Sequence, residues 1–340
     1  MAYTDIDKPS DFFKSKIWTG NGSSQDISLD FAPNWIWVKQ RSSTRYHNLQ
    51  DSIRGVGVQL FSNTTSADNA DTSNITAFNS NGYSLGAGDN VNKNNSTYVG
   101  WSWKGGSSNS TNTSGDRDTT VSANQDAGFS IVSYTVSGTS AHTTGHGLSK
   151  APELVLWKSR DRAASWSVYA KPIGNTKVLR LDTTAASATS GSWNDTTPTN
   201  TLVTHGGYYN GDKIIYYAFH SVDGYSKIGS YTGNGNADGT YVYTGFKPAF
   251  LMIKCTDAAR SWQIHNSKSS PFNNGSSNAR LFANLADAEA TNSSLDLLSN
   301  GFKTREGDDL NTNGSGNAYI YMAFAEQPFV TSTGVPATAR

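Results

Sequence analysis

Cysteine is nearly absent from this chain of 340 residues, where Cys255 stands alone. An internal disulfide framework and a cysteine-based zinc site are thereby excluded. Cys255 follows Lys254 at the end of an apolar run, where a small residue near a strand end is expected rather than a nucleophile. Net charge is missing as well, with 27 basic side chains against 27 acidic ones and a pI near 7.0. The chain therefore lacks the footprint of a general nucleic-acid or polyanion binder. Glutamate is limited to Glu153, Glu289, Glu306 and Glu326. A glycan hydrolase would need paired carboxylates about 5–10 Å apart, and no acidic residue recurs in register apart from Asp182. No G-x-S-x-G elbow occurs, and the "GNG" turns lack the Gly-Lys-Ser/Thr of a phosphate loop. A non-enzymatic protein with no cofactor and no metal is the expectation. No apolar stretch approaches the ~20 residues of a membrane span, and no signal-peptide core follows Met1. The chain reads as made and folded in a cytoplasm, without membrane insertion.

What is present is a surface of Ser, Thr, Asn and Gly, since charged residues make up only 16%. These are turn formers, as a β-rich protein requires. "PNWIWVK" (33–39) reads as a buried strand opened by Pro33, at the first position, where no ladder bond is lost. Nearly the same run recurs as "PELVLWK" (152–158) and "PAFLMIK" (248–254). Around these blocks other features fall into one order. "WTGNG" (18–22), "YTVSG" (134–138) and "YTGNG" (231–235) precede them. Leu60 and Asn63, Leu179 and Asp182, Leu281 and Asn284 follow, and then the pairs Gly82-Tyr83, Gly207-Tyr208 and Gly301-Phe302. Strand-like runs starting at Tyr98, Ile214 and Tyr319 close each unit.

The chain thus divides into an N-terminal docking segment (1–15), three β units (16–104, 128–222 and 225–329), a polar linker (105–127) and a tail (330–340). Unit lengths are those of β domains rather than of short solenoid repeats. Alternating runs such as "GFSIVSYTV" (128–136) and "DGTYVYTGF" (238–246) are strands with one buried face. Helical periodicity is confined to "SDFFKSKI" (10–17), with Ser10 as a cap, and to "NLADAEA" (284–290). The fold class expected is all-β, with three antiparallel β-sandwiches in tandem.

Three further patterns carry candidate chemistry. Each lysine of the Pro-to-Lys blocks marks where its strand surfaces. Eight residues on stands a ring: His47 after Lys39, Trp166 after Lys158, Trp262 after Lys254. Arg45 and Arg260 stand six residues after the first and third lysines, with Ala164 in the second unit. Lysine, arginine and ring would form a stacking platform for a sugar or a partner peptide. The competing explanation, that Trp166 and Trp262 are packing mass at the sandwich edge, leads because the features recur in all three units. "DLNTNG" (309–314) opens like a calcium loop, but Ile320 stands where the bidentate glutamate belongs, so an Asx-rich turn is expected. His142 and His146 lie on a stretch too poor in helix formers to present both to one metal, and read as a solvent loop.

"YTGNG", the Pro-to-Lys run, "RGVGVQLFSN" (54–63), "NGYSLG" (81–86), "TYVGWSWK" (97–104) and the opening "DIDKPSDFF" together resemble a family of repeated domains. These occur in virion-associated proteins of tailed bacteriophages, particularly marine ones. Unit one matches best and unit two departs most. The resemblance covers nearly the whole chain and implies a lectin-like, jelly-roll β-sandwich located in the virion. Three similar units with no consistent polar site add the expectation of a structural protein on the particle surface, as capsid decoration or tail appendage, whose partners are other virion proteins. A tail fibre binding host-surface glycan is the alternative, and a glycan hydrolase the third. Tyr3, Ile6, Phe12 and Phe13 give the N-terminus an apolar load suited to assembly, on another subunit or on unit one, and a homo-oligomer is expected.

Overall fold

Trp35–Gln40, Leu154–Ser159 and Phe246–Cys255 are the strands made by the three Pro-to-Lys blocks, and all but one of their residues are buried. Successive side chains of a strand point to opposite faces. Trp35 and Trp37 enter one hydrophobic cluster while Ile36 and Val38 enter another. Leu154 and Leu156 likewise part from Val155 and Trp157, and Phe250 and Met252 from Leu251 and Ile253. Both faces of each central strand are therefore covered. That is why these runs are continuously apolar instead of alternating.

The structure is a computed structural model that describes residues 4–273, 278–292, 294–307 and 309–328. It is an all-β fold of antiparallel sheets packed as sandwiches. In the first third of the chain a six-stranded sheet runs Phe13–Thr19, Thr97–Trp103, Trp35–Gln40, Asn48–Asp51, Val58–Phe61, Asn69–Ala70. A three-stranded sheet, Gln25–Ser28, Gly82–Leu85, Ile75–Asn79, covers one face of it. The last third has the same order: Ser226–Thr232, Ala318–Pro328, Phe246–Cys255, Gln263–Asn266, Asn278–Phe282, Ala290–Asn292. Its covering sheet is Tyr241–Tyr243, Gly301–Thr304, Leu295–Leu298. The middle third differs. Its large sheet has eight strands, and its small one has two, His142–Gly145 and Leu202–His205. Two of the eight, Ser110–Asn112 and Thr119–Asn124, fall in the stretch read as a free linker. The stretch 105–127 is thus partly sheet, with Ser110–Asn112 paired to Thr119–Val121 and Thr120–Asn124 paired to Phe129–Ser133.

The three large sheets turn their second faces toward one another and fill a common core. Aromatic rings dominate it. Trp35 stacks on Tyr217 at 4.3 Å, Trp103 lies 4.4 Å from Trp35, and Trp101 meets Phe250 edge-on at 5.3 Å. The N-terminal segment closes one side. Phe13 is fully buried and stacks on Phe324 at 5.3 Å, Ile6 is buried, and Phe12 packs edge-on against Tyr225 at 6.0 Å. Tyr3 lies outside the described residues. Ile6, Phe12 and Phe13 are thus taken up by the chain's own core.

Other local expectations are corrected. "SDFFKSKI" is a 3-10 turn, Pro9–Asp11, followed by the strand Phe13–Thr19, so Ser10 caps no helix. Seven residues of pairing with Thr97–Trp103 outweigh the local helical pattern. "NLADAEA" is turn and loop rather than helix, with Ala286 O and Glu289 N bonded to Arg45 N and Arg41 O. Pro33 and Pro152 sit two residues before their strands, and Pro248 sits inside one at a bulge, where a missing N–H is tolerated. Gly82 and Gly301 open strands, whereas Gly207-Tyr208 follows the strand Leu202–His205 and does not share their place.

Candidate functional site

None of the three lysines surfaces. Lys39, Lys158 and Lys254 are all fully buried, because each strand end is covered by a loop from another third of the chain. Each Nζ donates to the carbonyl of the next residue: Gln40 at 2.7 Å, Ser159 at 2.9 Å and Cys255 at 2.7 Å. Lys158 also donates to Thr65 O at 3.1 Å, and Lys254 to Thr184 O at 3.2 Å, each in the preceding third. Asp287 and Glu289 of the last third lie in the field of Lys39. Burial pushes all three ammonium groups down to about 8.

The rings behave in the same way. His47, Trp166 and Trp262 are buried, and each reaches the end of the corresponding strand next door. Trp166 Nε1 donates to Phe61 O at 2.9 Å, Trp262 Nε1 to Arg180 O at 2.8 Å, and His47 Nε2 lies 3.0 Å from Phe282 O. Trp37 Nε1 donates to His47 Nδ1 at 2.8 Å, which leaves the His47 proton on Nε2, facing Phe282. Burial, with the Lys39 charge second, holds His47 well below the usual histidine range, so this ring is neutral. The polar residue three after each leucine has a common task. Asn63, Asp182 and Asn284 accept the backbone N–H of His47, Trp166 and Trp262 at 3.0, 2.8 and 2.8 Å.

Backbone bonds complete the joint. Asp68 N donates to Arg160 O, Ser187 N to Thr256 O and Glu289 N to Arg41 O, at 2.7–2.8 Å. First meets second, second meets third, and third meets first. Two of these loops add ion pairs, Arg160 to Asp68 at 2.7 Å and Arg41 to Glu289 at 2.6 Å. Beneath them lies a buried network that the sequence reading missed. Arg54 donates from Nε to Asp51 Oδ2 at 2.6 Å and from Nη2 to Tyr217 Oη at 3.2 Å, and Tyr217 donates to Asp51 at 2.8 Å. Arg54 stands in "RGVGVQ", but nothing in that stretch signals a buried partner from another third. An ion pair this deeply buried needs its charges matched and its remaining donors and acceptors hydrogen-bonded, as they are here.

The stacking platform is therefore not assembled, since its lysines and rings face inward. Arg45 and Arg260 stay half-exposed and apart from them. Arg45 pairs with Asp89 at 2.8 Å, and Arg260 lines a shallow groove with Arg280 and Asp309. Asp309 is occupied by its own turn, accepting from Asn311 N at 3.0 Å and Thr312 Oγ1 at 3.1 Å. His142 and His146 are buried rather than in a solvent loop. His142 lies in a strand with Nε2 3.3 Å from Tyr134 Oη, and His146 Nε2 is 3.1 Å from Thr199 O. Among the described residues no group of three His, Cys, Asp or Glu side chains is placed to hold a metal.

A family model described as a domain of unknown function (DUF7483) matches residues 8–328. No curated protein and no solved structure matches the chain.

Proposed function

The chain belongs to the DUF7483 family over nearly its whole length, and from that premise we propose that it is a non-enzymatic structural protein of a bacteriophage particle. It is displayed on the particle surface as capsid decoration or tail appendage, and it is built from one β-sandwich module repeated three times. The observation that carries the structural role is the closed ring of bonds between the thirds of the chain. The residues that recur most regularly are spent on cohesion, as in a rigid building block. Placement on a phage particle rests on the sequence resemblance. A hydrolase is disfavoured because Glu153, Glu289 and Glu326 are each held by a cation: Lys171, Arg41 and Lys268.

Particle reconstruction is the test. Density for three sandwiches around a common core is expected on the capsid lattice or beside the tail, and purified particles lacking this chain would overturn the reading. Reducing-sugar release from host polysaccharide should be absent.

A further inference from the structure

Beside the two-stranded sheet of the middle third lies a cavity of about 210 Å³. Here this third departs from the other two, whose covering sheets have three strands. Trp157, Trp193, Tyr208 and Tyr209 supply aromatic wall, and Arg180 is the only charged side chain lining it. Serine hydroxyls and His205 complete the lining.

Two polar groups here are buried and unpartnered. Trp193 is 1% exposed with no partner for Nε1, and His205 is 3% exposed with no partner for Nδ1. His205 Nε2 is already engaged by Thr144 Oγ1 at 2.8 Å. Trp35, Trp101 and Trp103 also bury unpartnered indole N–H groups in the common core, but Trp193 and His205 are the ones that line this cavity, where an occupant could satisfy them. The loop is shaped to hold its rings. Tyr209 has φ 64°, a backbone region that aromatic residues seldom adopt, and its ring stacks on Trp157 at 5.8 Å. Tyr208, 51% exposed, lies across Gly206, where an added Cβ would come within 2.6 Å of its ring. Arg180 donates to Ser167 Oγ and forms no ion pair among the described residues, although its charge is felt at Asp182.

Aromatic faces with a few converging donors and acceptors suit a ligand that has apolar C–H faces and a polar edge, as a sugar ring does. A guanidinium not engaged in a direct ion pair can take a carboxylate. The volume is below the roughly 300–1,000 Å³ of drug-sized sites, which limits the occupant to about one ring. We propose that this cavity binds a single carboxylated sugar ring of the uronic-acid class, as the end of a glycan. The inference goes beyond the scaffold role and does not depend on particle placement, because it is measured on the isolated chain.

Isothermal titration of the intact protein with glucuronate, glucose and sodium acetate tests it. Saturable one-to-one binding of glucuronate is expected at millimolar concentration, with glucose weaker and acetate weaker still. Tyr208→Ala should weaken glucuronate about tenfold, and Arg180→Gln should erase the preference over glucose. Both variants should keep the parent's circular dichroism and melting temperature, since Tyr208 is half-exposed and the Arg180 bond to Trp262 uses its backbone oxygen. No glucuronate binding, equal binding of glucose or acetate by the parent, or unchanged binding by both variants would each overturn the proposal.

Discussion

Lys158 places an ammonium within hydrogen-bond reach of three carbonyls, those of Thr65, Ser159 and Arg162. Burial lowers its proton affinity and that of Lys39 and Lys254, and this fixes a pH dependence. Between about pH 8 and the ordinary lysine value near 10.4, the unfolded chain keeps protons that the folded chain has given up. The three lysines should therefore raise stability from pH 8 to about 9, opposed by the Cys255 thiol and, as pH nears 10, by buried tyrosines such as Tyr217, Tyr225 and Tyr231, all of which burial pushes up. Urea unfolding across that range checks it, and a steady fall would contradict it. His146 and His265, pushed down to about 4 by burial, act on the acid side. Their contribution is complete above about pH 6.5 and is lost as pH falls toward 4. At Asp182, Asn should change stability by less than about 1 kcal/mol, because it keeps the acceptor for Trp166 N–H as Asn63 and Asn284 do. Asp182→Ala should cost about 1–3 kcal/mol by leaving that buried N–H unpaired. The sequence had already put these residues in register. Their direction was not legible, because burial of each lysine and ring comes from a different third of the chain.

At the level of elements, the central strands were legible and their surroundings only in part. "PNWIWVK" announces burial on both faces by being apolar without alternation, yet nothing in it tells which partner covers the second face. The two helical patterns failed for one reason: pairing across long sequence distances took their backbone. The Gly207-Tyr208 pair was misplaced because a short motif cannot register a loop that has been rebuilt. That rebuilt loop carries the cavity. Loop residues joining the thirds should behave as sheet. In hydrogen exchange the amides of Asp68, Ser187 and Glu289 should be protected like those of the central strands, since each donates to a carbonyl across a joint. Exchange at the rate of free loops would show that the joints open.

For the whole molecule, the all-β sandwich class was legible in the sequence but the shared interior was not. Trp35, Trp101, Phe129, Tyr217, Phe250 and Phe324 would be laid bare if the thirds separated, and so would the buried Asp51–Arg54 pair with Tyr217. Exposed aromatic surface of that extent is not tolerated by independent soluble units. Deleting residues 1–14 should accordingly lower stability, because Ile6 and Phe13 are part of the same core. The most direct test is scanning calorimetry of the intact chain. A single transition with equal calorimetric and van't Hoff enthalpies is predicted. Two or three resolved transitions, with the thirds melting separately, would contradict the account.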